Sequence, residues 1–188
     1  VDNYVPKGYN QQYNRKEQGV MADYVIIMGY DEHNGSSLEA GSVSSYEFVK
    51  EGIEETIKEV PAEKVISGIP FFTRLWSETP KTQEELNQEA GTEAADYPMK
   101  VTSEALGMST ARDKISQAGA ETTLDETTGN NYATWEADGV TYEIWLEDAT
   151  SIEPKLQLMK ENKLAGTAAW ALGQESSDIW NLILKYVN

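Results

Sequence analysis

Residues 22–30, Ala-Asp-Tyr-Val-Ile-Ile-Met-Gly-Tyr, form an apolar run of strand length with β-branched members, and the positions after it, Asp31 to Ser37, are polar or glycine. That pattern predicts a buried strand running into a loop. Beyond Ser42 the period changes: Val43, Tyr46, Val49, Ile53, Ile57 and Val60 recur at steps of three and four until Pro61 interrupts them. An amphipathic helix of about four to five turns is expected there. A second short apolar run, Val65 to Phe72, follows a few residues later. Strand, helix and strand in this order predict a βαβ unit, hence a parallel sheet.

The same grammar returns near the C-terminus. Ile152, Leu156 and Met159 mark a helix, residues 165–172 a strand, and Ile179 to Val187 a last helix. Thr150 and Ser151 are the available N-caps of the first of these, and Pro154 is expected within its first turn. Between the two stretches, residues 77–142 differ in character. They open with a polar, acidic part (Glu84, Glu85, Glu89, Glu93) and continue with a helical pattern through Leu106, Met108, Ala111, Ile115 and Ala118. Two strand-like runs, Tyr132 to Ala137 and Val140 to Trp145, then flank Asp138-Gly139, a dipeptide suited to a type I′ hairpin turn because both central positions need positive φ. The chain therefore divides into an α/β portion, residues 1–76 and 143–188, and an α+β insertion at 77–142. The α/β portion has three clear strands and a fourth at Val1 to Val5, whereas a complete (β/α)8 barrel takes about 250 residues. It reads as the back half of a barrel or as a small open α/β sheet.

Charge narrows the choice of partners. The 188 residues carry 15 Lys+Arg against 32 Asp+Glu, a net charge of −17, so nucleic acid and anionic bilayers are repelled at long range. No apolar run approaches the roughly 20 residues that cross a bilayer, and the first residues lack the order of a signal peptide; a leader, for a secreted protein, is expected upstream of Val1. Without cysteine and with one histidine, thiolate chemistry and Cys- or His-rich metal sites are excluded. Catalysis has to rest on carboxylates, tyrosine and neutral polar groups, and no cofactor is expected.

Met28-Gly29-Tyr30-Asp31 resembles the Met-x-Tyr-Asp pattern that ends the sixth barrel strand of glycoside hydrolase family 18. Three further stretches are similar to that family in order and spacing. Residues 68–76 look like its seventh strand, Trp145-Leu146-Glu147-Asp148 like the approach to its seventh helix, and Gly166-Thr167-Ala168-Ala169-Trp170 like its eighth strand. Within the family, Val1-Asp2-Asn3-Tyr4-Val5-Pro6 and Tyr30-Asp31-Glu32-His33 resemble bacterial cell-wall and spore-cortex-lytic types. The resemblance implies the C-terminal part of a (β/α)8 TIM barrel, about strands 5 to 8, with an insertion after strand 7. It further implies an extracellular or cell-wall-associated hydrolase of N-acetylglucosamine-containing glycan, chitin or peptidoglycan, that retains configuration by using the substrate's own acetamido oxygen as nucleophile.

One departure limits this expectation. The family's general acid is a Glu ending an Asp-x-x-Asp-x-Asp-x-Glu run, and no Asp-x-Glu triplet occurs in the sequence. The proton donor is expected upstream of Val1. What remains is a wall for the acetamido group: a phenol donating to its oxygen and a carboxylate near its N–H would hold the reactive pose, and the adjacent Tyr30 and Asp31 supply both. Met28, Trp170, Arg74 and Trp76 are candidate substrate contacts. Trp170 is open between stacking on a sugar and core packing, and Arg74 between sugar binding and a surface ion pair. Glu147 and Asp148 read as carboxylates favoured at a helix start, Glu175 as an alternative active-site carboxylate, and His33 as a loop residue. Two other functions stay open, a non-catalytic lectin-like module and a pure interaction domain. A half-barrel also has unpaired strand edges, and two partners for them stay open: another copy of the chain, by self-association, or an upstream part of the protein.

Overall fold

The computed structural model describes residues 1–3 and 14–187. A short helix α1 (Arg15–Met21) leads into strand β1 (Val25–Met28), helix α2 (Tyr46–Ile57) and strand β2 (Val65–Pro70). The expected βαβ unit is present: β1 and β2 pair in parallel from Val25↔Val65 to Met28↔Gly68. Helix α2 is shorter than its apolar period because Ser45, with extended backbone, caps it by accepting from the Phe48 amide, so Val43 lies ahead of the first turn. Asp2 bridges to Met28 in the parallel sense, and the Met28 amide donates to the Val1 carbonyl at 2.9 Å. The expected first strand thus begins beside β1; its continuation from Tyr4 lies outside the described residues, as does the rest of the Val1–Pro6 motif.

After β2 the chain does not stay in the parallel sheet. The Phe71 amide donates to the Trp170 carbonyl at 2.7 Å, and from Phe72 the backbone enters a separate antiparallel sheet. That sheet holds β3 (Phe72–Pro80), β4 (Met99–Gly107), β5 (Thr123–Asp125), β6 (Asn130–Ala137) and β7 (Val140–Leu146) in the order β4-β3-β7-β6-β5, with helices α3 (Gln83–Gln88) and α4 (Met108–Ala118) between its strands. The insertion is therefore wider than residues 77–142, and Phe72 to Trp76 belong to it rather than to the parallel strand. Leu75, Leu106, Ala111, Ile115, Ala133, Ile144 and Leu146 give it an apolar cluster of its own. Leu106 closes β4 instead of opening the helix, and the hairpin turn has the expected positive φ at Asp138 (52°) and Gly139 (77°).

The chain then returns through α5 (Ala149–Glu161) to β8 (Gly166–Trp170), which pairs in parallel with β2 from Ile66↔Gly166 to Pro70↔Trp170, and ends in α6 (Ile179–Val187). The cap of α5 is Asp148, two residues before Thr150 and three before Ser151, the caps expected from the sequence; its carboxylate accepts from the Thr150 and Ser151 amides. Pro154 falls beyond the first turn, where its missing N–H leaves the exposed Thr150 carbonyl without a helical donor.

Side chains alternate across the three-stranded sheet. Val25, Ile27 and Val65 pack with Val49, Ile53 and Leu158, and Ile69 with Ile152, Leu156 and Ile179, so the helices cover one face. Ile26, Met28, Ile66, Gly68, Ala168 and Trp170 occupy the other, where Ile26 is 46% and Trp170 59% exposed. Every strand of this sheet points the same way, so its C-terminal ends form one rim, the side on which α/β sheets bind ligands.

Candidate functional site

Met28, Gly68 and Ala168 share one row of the sheet, and Pro70 and Trp170 the next. Two residues beyond Met28, Tyr30 falls on that second row and on the same uncovered face. Two strand spacings separate it from Trp170, about 10 Å, a gap of the order of a sugar ring. Gly29 and Gly68 are required for this approach of β1 and β2. A Cβ on Gly29 would lie 2.6 Å from the Gly68 carbonyl oxygen, and one on Gly68 2.6 Å from that of Ile27.

The Tyr30 ring is half-buried, edge-on to Phe72 with centroids 6.0 Å apart. Burial pushes its phenol above the usual value and the neighbouring Asp31 charge adds to this, so the hydroxyl keeps its proton and remains a donor at neutral pH. Asp31 is exposed, with φ at +64°, a left-handed conformation that aspartate tolerates better than most residues. Tyr30 and Asp31 line a pocket of about 340 Å³ together with Asp2, Asn3, Met28 and Phe48. Sequence reasoning missed Asn3 and Phe48 as wall residues. Both come from outside the strand-to-loop junction, and only the packing of α2 against the chain start brings them there.

The loop after Asp31 is tied down along its length. The Glu32 carboxylate accepts from the Ser45 amide (2.7 Å) and hydroxyl (2.9 Å), and the Glu32 amide donates to the Val43 carbonyl. His33 places Nδ1 2.9 Å from the Ser42 carbonyl. No group of three or more His, Cys, Asp or Glu capable of holding a metal occurs among the described residues.

The other candidates divide. Trp170 stands exposed at the end of β8, on the uncovered face but outside the walls of the Tyr30–Asp31 pocket. Arg74 donates to the Ser103 hydroxyl at 2.9 Å beside Gly35; its Nε is buried without a hydrogen-bond partner among the described residues. Trp76 is 1% exposed and donates its indole N–H to the Gly41 carbonyl. Stacking of a sugar on Trp76 does not fit that burial: the side chain fastens the site loop to the insertion. Glu175 accepts from the Gly173 amide, and backbone amides, its own first, hold its carboxyl below the usual range, which suits a turn residue and not a proton donor. Asp148 caps α5 as a helix-start carboxylate. Glu147 instead turns inward, fully buried on Lys155 at 3.0 Å, and that burial pushes its carboxyl up while Lys155 opposes the shift.

The structure thus combines a parallel sheet covered by helices on one face with a rim that carries a phenol beside a carboxylate and an exposed indole on the uncovered face, in an α/β protein. The chain belongs to the glycosyl hydrolases family 18, whose family model matches residues 2–175. It is 28% identical over 174 residues to the uncharacterized glycosylase YvbX of Bacillus subtilis (strain 168), covering 92% of this chain and 45% of that protein. To the cortical fragment-lytic enzyme of the same organism it is 27% identical over 180 residues, 95% of this chain and 38% of the relative. A chitinase from Chromobacterium violaceum ATCC 12472 shares the fold with a TM-score of 0.80 at 24% identity, over 100% of this chain and 54% of that one. The chain thus spans less than half the length of these sequence relatives.

Proposed function

We propose that this chain is the acetamido-binding wall of a glycoside hydrolase acting on N-acetylglucosamine-containing cell-wall glycan outside the cell. The observation that carries the reading is the adjacency of Tyr30 and Asp31 at the C-terminal rim, on the same sheet face as Trp170, in a member of this family. In the proposed site the Tyr30 hydroxyl donates to the acetamido oxygen, the Asp31 carboxylate faces its N–H, and Trp170 offers an apolar platform to the ring. As positive charge develops when the acetamido oxygen attacks its own anomeric carbon, the carboxylate stabilises it. Met28 lines the floor, and Arg74 borders the loop from the insertion side. Protonation of the leaving group falls to a Glu outside this chain. The names of the cortical fragment-lytic relatives support a bacterial cell-wall setting.

The three-stranded sheet, in this proposal, is the C-terminal part of an eight-stranded barrel, about strands 5 to 8, with Val1–Asn3 opening the fifth. Its parallel pairing, its helices on a single face and its alignment with about half of a chitinase support that assignment.

The purified chain is expected to bind chitotriose in calorimetry and to release no product from it. Tyr30→Phe and Asp31→Asn should each weaken binding about tenfold, the loss of one hydrogen bond to a neutral or charged partner. Absence of heat from the chain would remove the sugar site and leave an interaction domain. Turnover by the chain alone, abolished by either substitution, would show that it carries its own acid.

Strand β8 forms the edge of its sheet, beside an apolar groove of about 480 Å³ lined by residues including Leu172, Trp180, Ile183 and Val187. Concentration-dependent self-association through this edge is expected, and more of it at high salt, because salt screens the repulsion between copies of charge −17. Sedimentation velocity giving one monomeric species across concentration and salt would refute it.

A further inference from the structure

The Glu147–Lys155 pair has side chains 0% and 1% exposed, and neither group belongs to the pocket. A buried ion pair is weak support for stability compared with apolar packing, so what it touches is informative. The Ser151 hydroxyl donates to Glu147 at 2.8 Å, and Asn130 Nδ2 does so at 3.0 Å. On its other side the Lys155 ammonium donates to the Ser44 hydroxyl at 2.9 Å, and that hydroxyl donates to the Gly29 carbonyl at 2.6 Å. A serine hydroxyl has a single proton. Because Ser44 accepts from an ammonium that has no acceptor capacity, its proton is directed to Gly29, and the cation polarises the bond.

Gly29 is the residue before Tyr30. Its amide also donates to the Gly68 carbonyl at 3.0 Å, so the peptide units on both sides of its Cα are held. From the far end of the same network, the Asn130 side-chain Oδ1 accepts from the Ser42 hydroxyl at 2.9 Å, and the Ser42 backbone carbonyl accepts from the His33 amide at 3.3 Å. Both ends of the loop that starts at Asp31 are thereby tied to one buried centre shared by α5 and the insertion.

We propose that Ser44, oriented by the Glu147–Lys155 pair, is a positioning residue for Tyr30 and Asp31. It fixes the Gly29 peptide, and with it the direction in which the chain leaves β1. The inference deepens the sugar-binding reading above and rests on it for its functional consequence, but its structural half can be tested without sugar.

Ser44→Ala keeps the ion pair and removes the link. By hydrogen exchange, the Gly29, Glu32 and His33 amides, all bonded to backbone carbonyls, should exchange at least tenfold faster in this variant, with the interior amides of α5 unchanged. Chitotriose affinity should fall at least tenfold under conditions where the variant is fully folded. Ser44→Cys, nearly isosteric and a weak donor, should lie between the two in both measurements, and it stands in if the alanine variant does not fold. Exchange at the three amides equal to wild type overturns the proposal, as does equal affinity in a variant of either kind. Failure of the wild-type chain to bind chitotriose would sink the sugar reading, while the exchange data would still decide whether Ser44 holds the strand end.

Discussion

Lys155→Met lowers the stability of the chain by about 3–5 kcal/mol, the cost of stranding one member of a buried ion pair. Glu147 would remain fully buried with only the Ser151 hydroxyl and the Asn130 amide as donors. The loss carries a pH signature. A carboxyl whose pKa is raised in the folded state binds protons more tightly there than in the unfolded chain, so folding gains as the pH falls toward that raised value. The deficit of Lys155→Met is therefore full above the raised pKa of Glu147 and shrinks as the pH falls through it, once Glu147 takes up a proton. The double variant Glu147→Leu/Lys155→Met should recover part of the stability, less what the unpaired Asn130 and Ser151 cost. Urea titrations of the three variants at several pH values provide the check. A deficit below about 1 kcal/mol, or one that grows on acidification, would mean that the carboxylate is not sealed from water.

Gly29→Ala is the second large effect, with an expected loss of about 3 kcal/mol from overpacking and a broken strand hydrogen bond. The added methyl meets a backbone oxygen at 2.6 Å, and no side-chain rotation relieves that contact. Strands β1 and β2 must part at their C-terminal ends, where the Gly29 amide bonds to Gly68. For a chain of this size the melting temperature should drop by about 6–12 °C. The same displacement moves Tyr30, so chitotriose affinity should fall with it. A melting temperature equal to wild type would show that the strands separate there without cost.

The parallel strands were legible because apolar side chains stand on both of their faces, Ile26, Met28 and Ile66 on the uncovered one and Val25, Ile27 and Val65 beneath the helices, and α2, α5 and α6 because their apolar positions keep a helical period. Strand β4 escaped notice for the opposite reason: Lys100, Thr102 and Glu104 are exposed, Met99, Val101 and Ser103 only half-buried, and Leu106 alone is buried. Its place is set by backbone pairing with β3, which sequence pattern does not encode. The short helix α1 carries a buried Arg15 that donates to the Thr56 hydroxyl, a partner 41 residues away. The run from Ile69 to Trp76 looks like one strand because the switch between sheets falls inside it, with only Pro70 as a mark.

At the proposed site, a strand ending in a polar loop, together with the family resemblance, made Tyr30 and Asp31 the candidates. Trp76 could not be sorted from Trp170, since an indole that fastens a loop and one that faces outward are the same letter. Glu147 looked like one of two helix-start carboxylates. Its role depends on Lys155, eight residues on and two turns away, and on Asn130 from another part of the chain. Ser44 has no sequence signature at all, because its importance lies in which carbonyl it reaches.

Asp31 narrows what can stand at the mouth of the pocket before any chemistry is considered. At φ +64°, β-branched and bulky side chains are strained, and glycine, asparagine and aspartate are the residues that settle there readily. Of those three, aspartate alone is anionic. The backbone thus reduces the usable alphabet to three letters, and the charge that the proposed acetamido site calls for reduces it to one. Drift at this position that preserves the fold leads to asparagine or glycine, producing descendants that keep the shape of the site and lose its charge in a single step.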